Sequence, residues 1–176
     1  MPQGELFIRT KRTLQLTSGA VGLITADATI GNGWVDCYLR YGLSLENGAR
    51  SKLMTPAPMK APTNSSSATS DGVAYYGGTV GKYDKHEFSF DIHIVASSTE
   101  QFVQRYNLFC EEVLRGQYLQ LRHGQFPNVV RHLLYDGCEP FQEFKLVMAK
   151  FTLSVIEPHP EKTDFDVQPF SRISTQ

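Results

Sequence analysis

Histidine and carboxylate side chains are the first candidates for metal binding or proton transfer in this chain. The histidines are His86, His93, His123, His132 and His159. They contain no His-Glu-x-x-His pair, and no cysteine stands at metal-ligand spacing from any of them. Asp91 and His93 share one face of a predicted strand and offer two ligands, but strand alternation already demands polar residues there. The pattern favours a solvated strand face, and we expect no metal and no cofactor.

Motifs for phosphate binding and nucleophilic catalysis are incomplete. Gly81 and Lys82 match the end of a phosphate-binding loop. Tyr76 stands where that loop needs its first glycine, and Tyr83 stands where serine or threonine would bind magnesium. No serine lies in a Gly-x-Ser-x-Gly elbow, and no cysteine has a nucleophile signature. We therefore predict that the protein is not an enzyme.

Two clusters of binding-type side chains remain, and each also has a structural explanation. Basic residues gather on the first predicted strand, where they suit a phosphate or the protective charges of an edge strand. Aromatic residues gather near Lys82, where they suit ligand stacking or half-buried packing. The basic cluster is Arg9, Lys11 and Arg12, and the aromatic cluster is Tyr75, Tyr76 and Tyr83.

Composition indicates a globular protein with no general attraction for polyanions. The 176 residues include 17 basic and 18 acidic side chains, a formal net charge of −1, and 41% are hydrophobic. We expect no specific nucleic-acid binding, because a near-neutral chain creates no attracting field. No apolar run approaches the roughly 20 residues that span a bilayer, so we expect no membrane contact. Cys37, Cys110 and Cys138 are too scattered for a disulfide framework, and we expect reduced, mostly buried thiols.

The elements that must position these side chains are mostly strands in the first half of the chain. Segments 6–16 and 20–30 are rich in β-branched residues and predict two strands. A third strand is predicted over 34–45, after the turn signal at 31–33. Prolines and a Ser/Thr/Asn run predict a long loop over 55–72, which is a candidate contact element.

The second half has the clearest periodicity. Strict alternation over 86–96 predicts a long, half-buried strand. Ser98 and Gln101 form a capping box before an apolar stripe, which predicts a helix over about 99–115 that ends at a left-handed Gly116. Further strands are predicted at 117–122, 129–135 and 145–156.

Together these elements predict a mainly β fold. Seven or more short strands and one helix favour a β-sandwich or a partly closed barrel with the helix packed on one side or end. We expect a single domain over 1–160. We expect an arm or tail over 161–176, where prolines and acidic residues leave few apolar anchors.

Four runs of sequence resemble the distal tail proteins of siphophages, in the version found in prophages of Bacteroidetes-like bacteria. The runs are LSLENGARSKLMTPAPMKAP from Leu43, KHEFSFDIHIVASSTEQFVQRYNLFCEEVLRG from Lys85, LQLRHGQFPNVVRHLLYDGC from Leu119 and AKFTLSVIEPHP from Ala149. They extend over about two thirds of the chain, from Leu43 to about Pro160. Residues 1–42 match nothing in that family, and we expect no counterpart of the carbohydrate-binding-like domain that larger members add at the C-terminus.

The resemblance implies a tail-tube-like fold and a hexameric ring that joins the tail tube to the tail tip or baseplate. The implied partners are other copies of the chain and the tube, tape-measure and tip proteins, with DNA passing through the ring. The implied location is the virion tail, after synthesis in the bacterial host cytoplasm. A tail-tube subunit is the nearest alternative, because the two families share fold and ring geometry. A small β-sandwich module that binds carbohydrate through the 55–72 loop is an alternative of a different class.

A sixfold ring requires a head-to-tail contact between two different faces of the subunit. We expect the long strand over 86–96 and the flanking segments 53–59 and 157–170 to provide these faces. Apolar residues among the prolines of 53–59 have no evident core face and suit a neighbour's groove. The residues expected at the interface are Leu53, Met54, Met59, His86, Phe88, Asp91, His93, Glu157, Phe165 and Phe170.

Overall fold

A computed structural model describes residues 4–19, 30–31, 33–65, 72, 74–76 and 81–160. Its strands are β1 (Leu6–Thr10), β2 (Ile30–Gly31), β3 (Trp34–Asp36), β4 (Leu43–Leu45), β5 (Thr63–Ser65), β6 (Ala74–Tyr76), β7 (His86–Val95), β8 (Tyr118–His123), β9 (Phe126–Cys138), β10 (Glu143–Lys145) and β11 (Met148–Glu157). Its helices are α1 (Lys11–Gly19), α2 (Cys37–Tyr41), α3 (Ala49–Met54) and α4 (Thr99–Phe109), and a π-helical turn over Cys110–Leu114 continues α4.

Most of these strands form one curled antiparallel sheet, which resembles half of a barrel. The strand order is β2-β3-β1-β8-β9-β11-β7-β4, and β10 pairs with β11 beside this path. β5 and β6 form a separate two-stranded ribbon. The predicted mainly β fold is confirmed, although the described residues form four helices rather than one.

The hydrophobic core lies between one face of the sheet and the helices. In β7, Phe90, Ile92 and Ile94 alternate onto this face and are almost fully buried, as the sequence pattern predicted. β11 pairs with β7 over its whole length and adds its own buried residues to the same face. Phe102 and Phe109 of α4 close over them. The long pairing of β7 with β11 therefore supplies much of the sheet face that the core covers.

The start of α4 confirms the predicted capping box. Ser98 Oγ accepts a hydrogen bond from the backbone N–H of Gln101 at 3.2 Å, and the Gln101 side chain accepts one from the N–H of Ser97 at 2.8 Å. The predicted left-handed stop is displaced by one residue, because Gln117 rather than Gly116 has a positive φ, of 61°. Gly116 instead leaves room for Thr10, because a Cβ at position 116 would lie 3.1 Å from Thr10 Cβ.

The predicted strand over 6–16 is wrong beyond residue 10, where the chain turns into α1. Thr13 N–H donates to Thr10 Oγ1 at 3.2 Å, and Thr10 N–H donates to Thr13 Oγ1 at 2.8 Å. This reciprocal capping of the first turn favours a helix over the extended form that β-branched residues indicate. The strand predicted over 20–30 lies outside the described residues except for its last position.

The predicted strand over 34–45 is also wrong, because α2 divides it into β3 and β4. Asp36 Oδ1 accepts hydrogen bonds from the N–H groups of Tyr38 and Leu39 at 3.0 and 3.2 Å, which starts the helix. Gly42 ends it with a φ of 65°. Only glycine fits at Gly42, because a Cβ there would lie 2.2 Å from the carbonyl oxygen of Val95.

The predicted long loop over 55–72 contains ordered structure. Residues 63–65 form β5 and pair with β6, and Met59 forms an isolated β-bridge with Tyr83. These pairings use backbone groups, so the polar and proline-rich composition does not reveal them. Residues 66–71 of the loop and the predicted tail over 161–176 lie outside the described residues.

Candidate functional site

An exposed hairpin of β10 and β11 is the most apolar surface among the described residues. The register pairs Phe144 with Ala149 and Lys145 with Met148, around a turn at Leu146 and Val147. Ala149 is buried on the core face, so its partner Phe144 lies on that face at the edge of the sheet. Phe144 is 57% exposed and Leu146 is 69% exposed, which is unusual for large apolar side chains that lie together.

Aromatic contacts connect this hairpin to the core without a break. Phe109 contacts Phe151, which contacts Phe141, with ring centroids 6.2 and 5.2 Å apart. Phe141 contacts Phe144 at 5.9 Å, and Phe144 contacts Phe102 of α4 at 5.9 Å. The exposed rings are therefore held in place by the core. The name hairpin surface refers to Phe141, Phe144, Leu146 and Val147.

The outer edge of the hairpin is an unpaired strand edge. Among the described strands, β10 pairs with β11 alone. Apolar edge strands are sites of association with other chains. Sequence reasoning missed this surface because the turn at Leu146 and Val147 contains no glycine, asparagine or proline. The available signal was the group of apolar residues in FQEFKLV from Phe141, which runs into the strand predicted over 145–156.

A cleft of about 640 Å³ opens at another place on the surface. Its lining consists of Lys60, Gly81, Lys82, Tyr83, Asp84, Lys85, Pro158 and His159. Two backbone hydrogen bonds hold its walls together. Lys60 N–H donates to the Lys82 carbonyl at 2.8 Å, and Asp84 N–H donates to the Pro58 carbonyl at 2.8 Å.

The cleft combines positive charge with an apolar wall. Lysines in the lining outnumber the single carboxylate of Asp84. Lys85 pairs with Glu87, and this hydrogen bond raises the pKa of the Lys85 ammonium. Met59 Sδ would lie 3.5 Å from a Cβ on Gly81, and both Met59 and Tyr83 are exposed. The cleft can therefore receive an apolar group that is accompanied by negative charge.

The hairpin surface and the cleft lie at opposite ends of the same ladder. Met148 pairs with Val95 at the hairpin end, and Glu157 pairs with His86 at the cleft end. A strand rises about 3.3 Å per residue, so this ten-residue ladder separates the two ends by about 30 Å.

Two of the predicted interface residues, His86 and Glu157, meet in a buried charge cluster instead of facing solvent. Glu157 Oε2 lies 3.1 Å from Arg131 Nη1 and 3.3 Å from His86 Nδ1. Arg131 Nε also donates to the Leu53 carbonyl at 3.1 Å. The cluster joins the end of β11 to the end of α3. Leu53 itself is buried in the core, so the expectation that it lacks a core face is wrong.

The other predicted interface residues occupy varied positions. Asp91 accepts a hydrogen bond from Thr152 Oγ1 at 2.5 Å, and His93 Nδ1 lies 2.6 Å from Glu46 Oε1. Phe88 packs partly against the core, and Met54 and Met59 are exposed. Phe165 and Phe170 lie outside the described residues. The interface assignment stays a prediction, and within it Met59 is joined by a β-bridge to Tyr83 of the cleft lining.

The predicted basic cluster on the first strand does not form. Arg9 is nearly buried, with its guanidinium 4.7 Å from the centre of the Trp34 ring and its Nε donating to Gln120 Oε1 at 2.6 Å. Arg122 stacks on the same ring at 4.4 Å. Lys11 and Arg12 lie on α1 and are exposed, because the helix starts after Thr10. The tyrosine cluster is tested only at Tyr83, since the side chains of residues 75 and 76 lie outside the described ones.

A second buried charge cluster explains the π-helical turn after α4. The wider turn carries Glu112 inward, where Arg40 binds its two carboxylate oxygens at 2.7 and 2.6 Å. Tyr41 donates its hydroxyl hydrogen to Glu112 Oε2 at 2.6 Å, and burial raises the pKa of that phenol. The cluster links α2 to α4, which is a structural role.

Metal, thiol and membrane chemistry can be assessed for the described residues only. Within them, no group of three or more His, Cys, Asp or Glu side chains is arranged to hold a metal ion. The cysteines are unpaired, but the expectation of mostly buried thiols holds for Cys37 alone, because Cys110 is half-buried and Cys138 is exposed. Burial raises the pKa of the Cys37 thiol. No helix in the described part of the chain has the length and apolar character to cross a membrane.

Comparison with known proteins gives similarity of fold alone. No protein-family model and no curated protein matches the chain. Among solved structures, it is similar to the crystal structure of the SPP1 Dit (gp 19.1) protein, described as a paradigm of the hub adsorption apparatus in phages that infect Gram-positive bacteria. The identity is 13% and the TM-score is 0.49, over 71% of this chain and 47% of the other. The chain thus spans about half of that protein, and so distant a likeness does not establish a shared function.

Proposed function

We propose that this protein is a non-enzymatic structural subunit of a phage or prophage tail. In this proposal it forms a hexameric ring in the virion tail, where it joins the tail tube to the tail tip or baseplate. Its partners are other copies of the chain and the tube, tape-measure and tip proteins. It is synthesised in the cytoplasm of the bacterial host.

The observation that carries the proposal is the fold of the segments that resemble distal tail proteins. The run from Lys85 forms β7 and the capped α4, and the runs from Leu119 and Ala149 form β8, β9 and β11. These elements build a curled antiparallel sheet with the helix on its core face. A mainly β arrangement of this kind supports the fold that the sequence resemblance implies.

The chemistry of the two ends of the β7 and β11 ladder supports an assembling subunit. A closed ring needs two unlike, complementary faces on each subunit. The hairpin surface is apolar and exposed, whereas the cleft is concave and lined by lysines. The buried carboxylates of Glu112 and Glu157 are bound by arginines that join elements together, which favours a structural role for both.

The location is tested on purified phage particles, released by induction if the source is a prophage. Mass spectrometry of the particles should identify this chain, and gold-labelled antibodies should mark the end of the tail that is distal to the head. A label spread along the whole tail supports the tube subunit instead. A chain that is absent from purified particles contradicts a structural role in the virion.

The cleft favours a second candidate of a different class, a small ligand-binding module. A volume of about 640 Å³ lies in the range that small-molecule sites occupy, and Tyr83 offers an aromatic face there. A monomeric chain that binds glycans by calorimetry, and loses binding in a Tyr83→Ala variant, would support this candidate over the ring.

A further inference from the structure

We propose that the hairpin surface of one copy docks against the cleft of the next copy. This inference rests on the proposed function and specifies the contact that would build the ring. The occupant of the cleft is therefore a second copy of this chain.

The first argument is the placement of the two surfaces. They lie at opposite ends of one rigid ladder, about 30 Å apart for strands that rise 3.3 Å per residue. A contact between opposite ends of identical subunits is head-to-tail, and it closes into a ring when the rotation between copies allows. A contact of the hairpin with another hairpin would stop at two copies.

The second argument is the match of apolar groups. Leu146 and Val147 form the tip of the hairpin, and Leu146 is 69% exposed. Tyr83 lines the cleft and is 41% exposed, and Met59, which forms a β-bridge with Tyr83, is 55% exposed. Docking would remove both sets from water together, which is the main favourable contribution in most protein association.

The third argument is charge. The lining of the cleft carries Lys60, Lys82 and Lys85 against Asp84. The segment that leads through β10 carries the reverse excess, with Glu139 and Glu143 against Lys145. Lys145 pairs with Glu143 at 2.7 Å and Lys150 lies opposite Glu143 in the register, so the acidic excess of this segment rests on Glu139. Opposite charges around an apolar contact set its orientation.

Cross-linking between engineered cysteines tests the contact. Leu146→Cys and Met59→Cys are made separately in a Cys138→Ser background, because Cys138 is exposed. The two proteins are mixed and treated with a short bismaleimide. We expect a two-chain product in the mixture and little in either protein alone. Efficient cross-linking of the Leu146→Cys protein with itself would overturn the proposal in favour of a hairpin-to-hairpin dimer.

The double variant Leu146→Cys with Met59→Cys, in the same background, should give a ladder of products that ends at six chains. In the otherwise native chain, without engineered cysteines, Leu146→Asp should abolish the formation of six-chain assemblies. Leu39→Asp is the matched control, because Leu39 is also an exposed leucine, on α2. If both variants lose assembly equally, or if neither variant loses it, the role of the hairpin is overturned.

Imaging of the unmodified protein separates failure of the contact from failure of the proposed function. Rings without the cross-link would overturn the docking contact and leave the ring intact. Cross-linked open chains without rings would confirm the contact and overturn the hexamer. Neither rings nor cross-links would overturn both.

Discussion

Glu157 is a single residue that was predicted at a subunit interface and that lies buried within the subunit. Alternation along the last strand does not distinguish a solvated carboxylate from a buried one. The distinction comes from Arg131, which lies on a neighbouring strand and reaches both Glu157 and the end of α3. A partner 26 positions away in sequence is not visible in local patterns. Predicting this cluster therefore requires the register of the sheet.

Removing the Glu157 carboxylate should strongly destabilise the fold. Glu157→Ala would leave Arg131 buried without its counter-charge, and breaking a buried pair in this way costs about 3–5 kcal/mol. Urea unfolding followed by circular dichroism measures the loss. Glu87→Ala is the control, because its pair with Lys85 is exposed to solvent and should contribute little to stability. Similar losses in the two variants would show that the buried cluster is not strongly coupled.

His123 should make stability depend on pH. Burial, and then the charge of Arg50, lower the pKa of its imidazole below the ordinary 6.5, and Glu5 offsets this in part. The neutral ring accepts a hydrogen bond from Gln125 N–H at 3.1 Å, which fits this direction. Below pH 6.5 the unfolded chain takes up a proton before the folded one does. The contribution to stability is thus complete above pH 6.5 and falls as the pH drops towards the folded pKa.

Urea unfolding at several pH values between 7.5 and 5 checks this expectation. The free energy of unfolding should decrease more steeply with falling pH in the native chain than in His123→Gln. His159→Gln, at an exposed position, serves as the control. A native profile that matches the His123→Gln profile would contradict the assignment.

At the scale of elements, periodicity predicted the long parts of the fold and failed for the short ones. β7 and α4 were predicted because each presents several apolar residues at one regular spacing. α1 and α2 were missed because each depends on one capping residue, Thr10 or Asp36, within a β-branched stretch. β10 was missed because its turn lacks the usual turn residues. Short elements thus depend on single contacts, which the periodicity of a sequence segment does not reveal.

The apolar stripe of α4 predicts graded effects of truncation. Phe109→Ala should destabilise the protein by about 3–5 kcal/mol, because the ring is fully buried between sheet and helix. Tyr106→Ala should cost less, since Tyr106 packs only partly against the core. Val103→Ala is the control on the exposed face of the same helix. Thermal and urea unfolding measure all three, and an equal loss at Phe109 and Val103 would refute the orientation of the helix.

At the scale of the whole molecule, the sequence predicted the mainly β class but not the relation between its surfaces. Met59 was expected to contact a neighbour, and the structure places it beside the cleft, in a β-bridge with Tyr83. The hairpin surface lies at the far end of the ladder, and nothing in the local sequence links it to Met59. The hairpin surface and Met59 lie at opposite ends of the ladder because of the full register between β7 and β11. That register is determined by long-range pairing.

The mass of the assembled protein tests most directly whether the chain forms a hexameric ring. Native mass spectrometry, together with sedimentation over a range of concentrations, should detect a species of six times the 19.8 kDa chain. The proportion of this species should rise with concentration, since the contact is between separate subunits. A chain that stays monomeric at every concentration, or that stops at a dimer, would contradict the proposed ring.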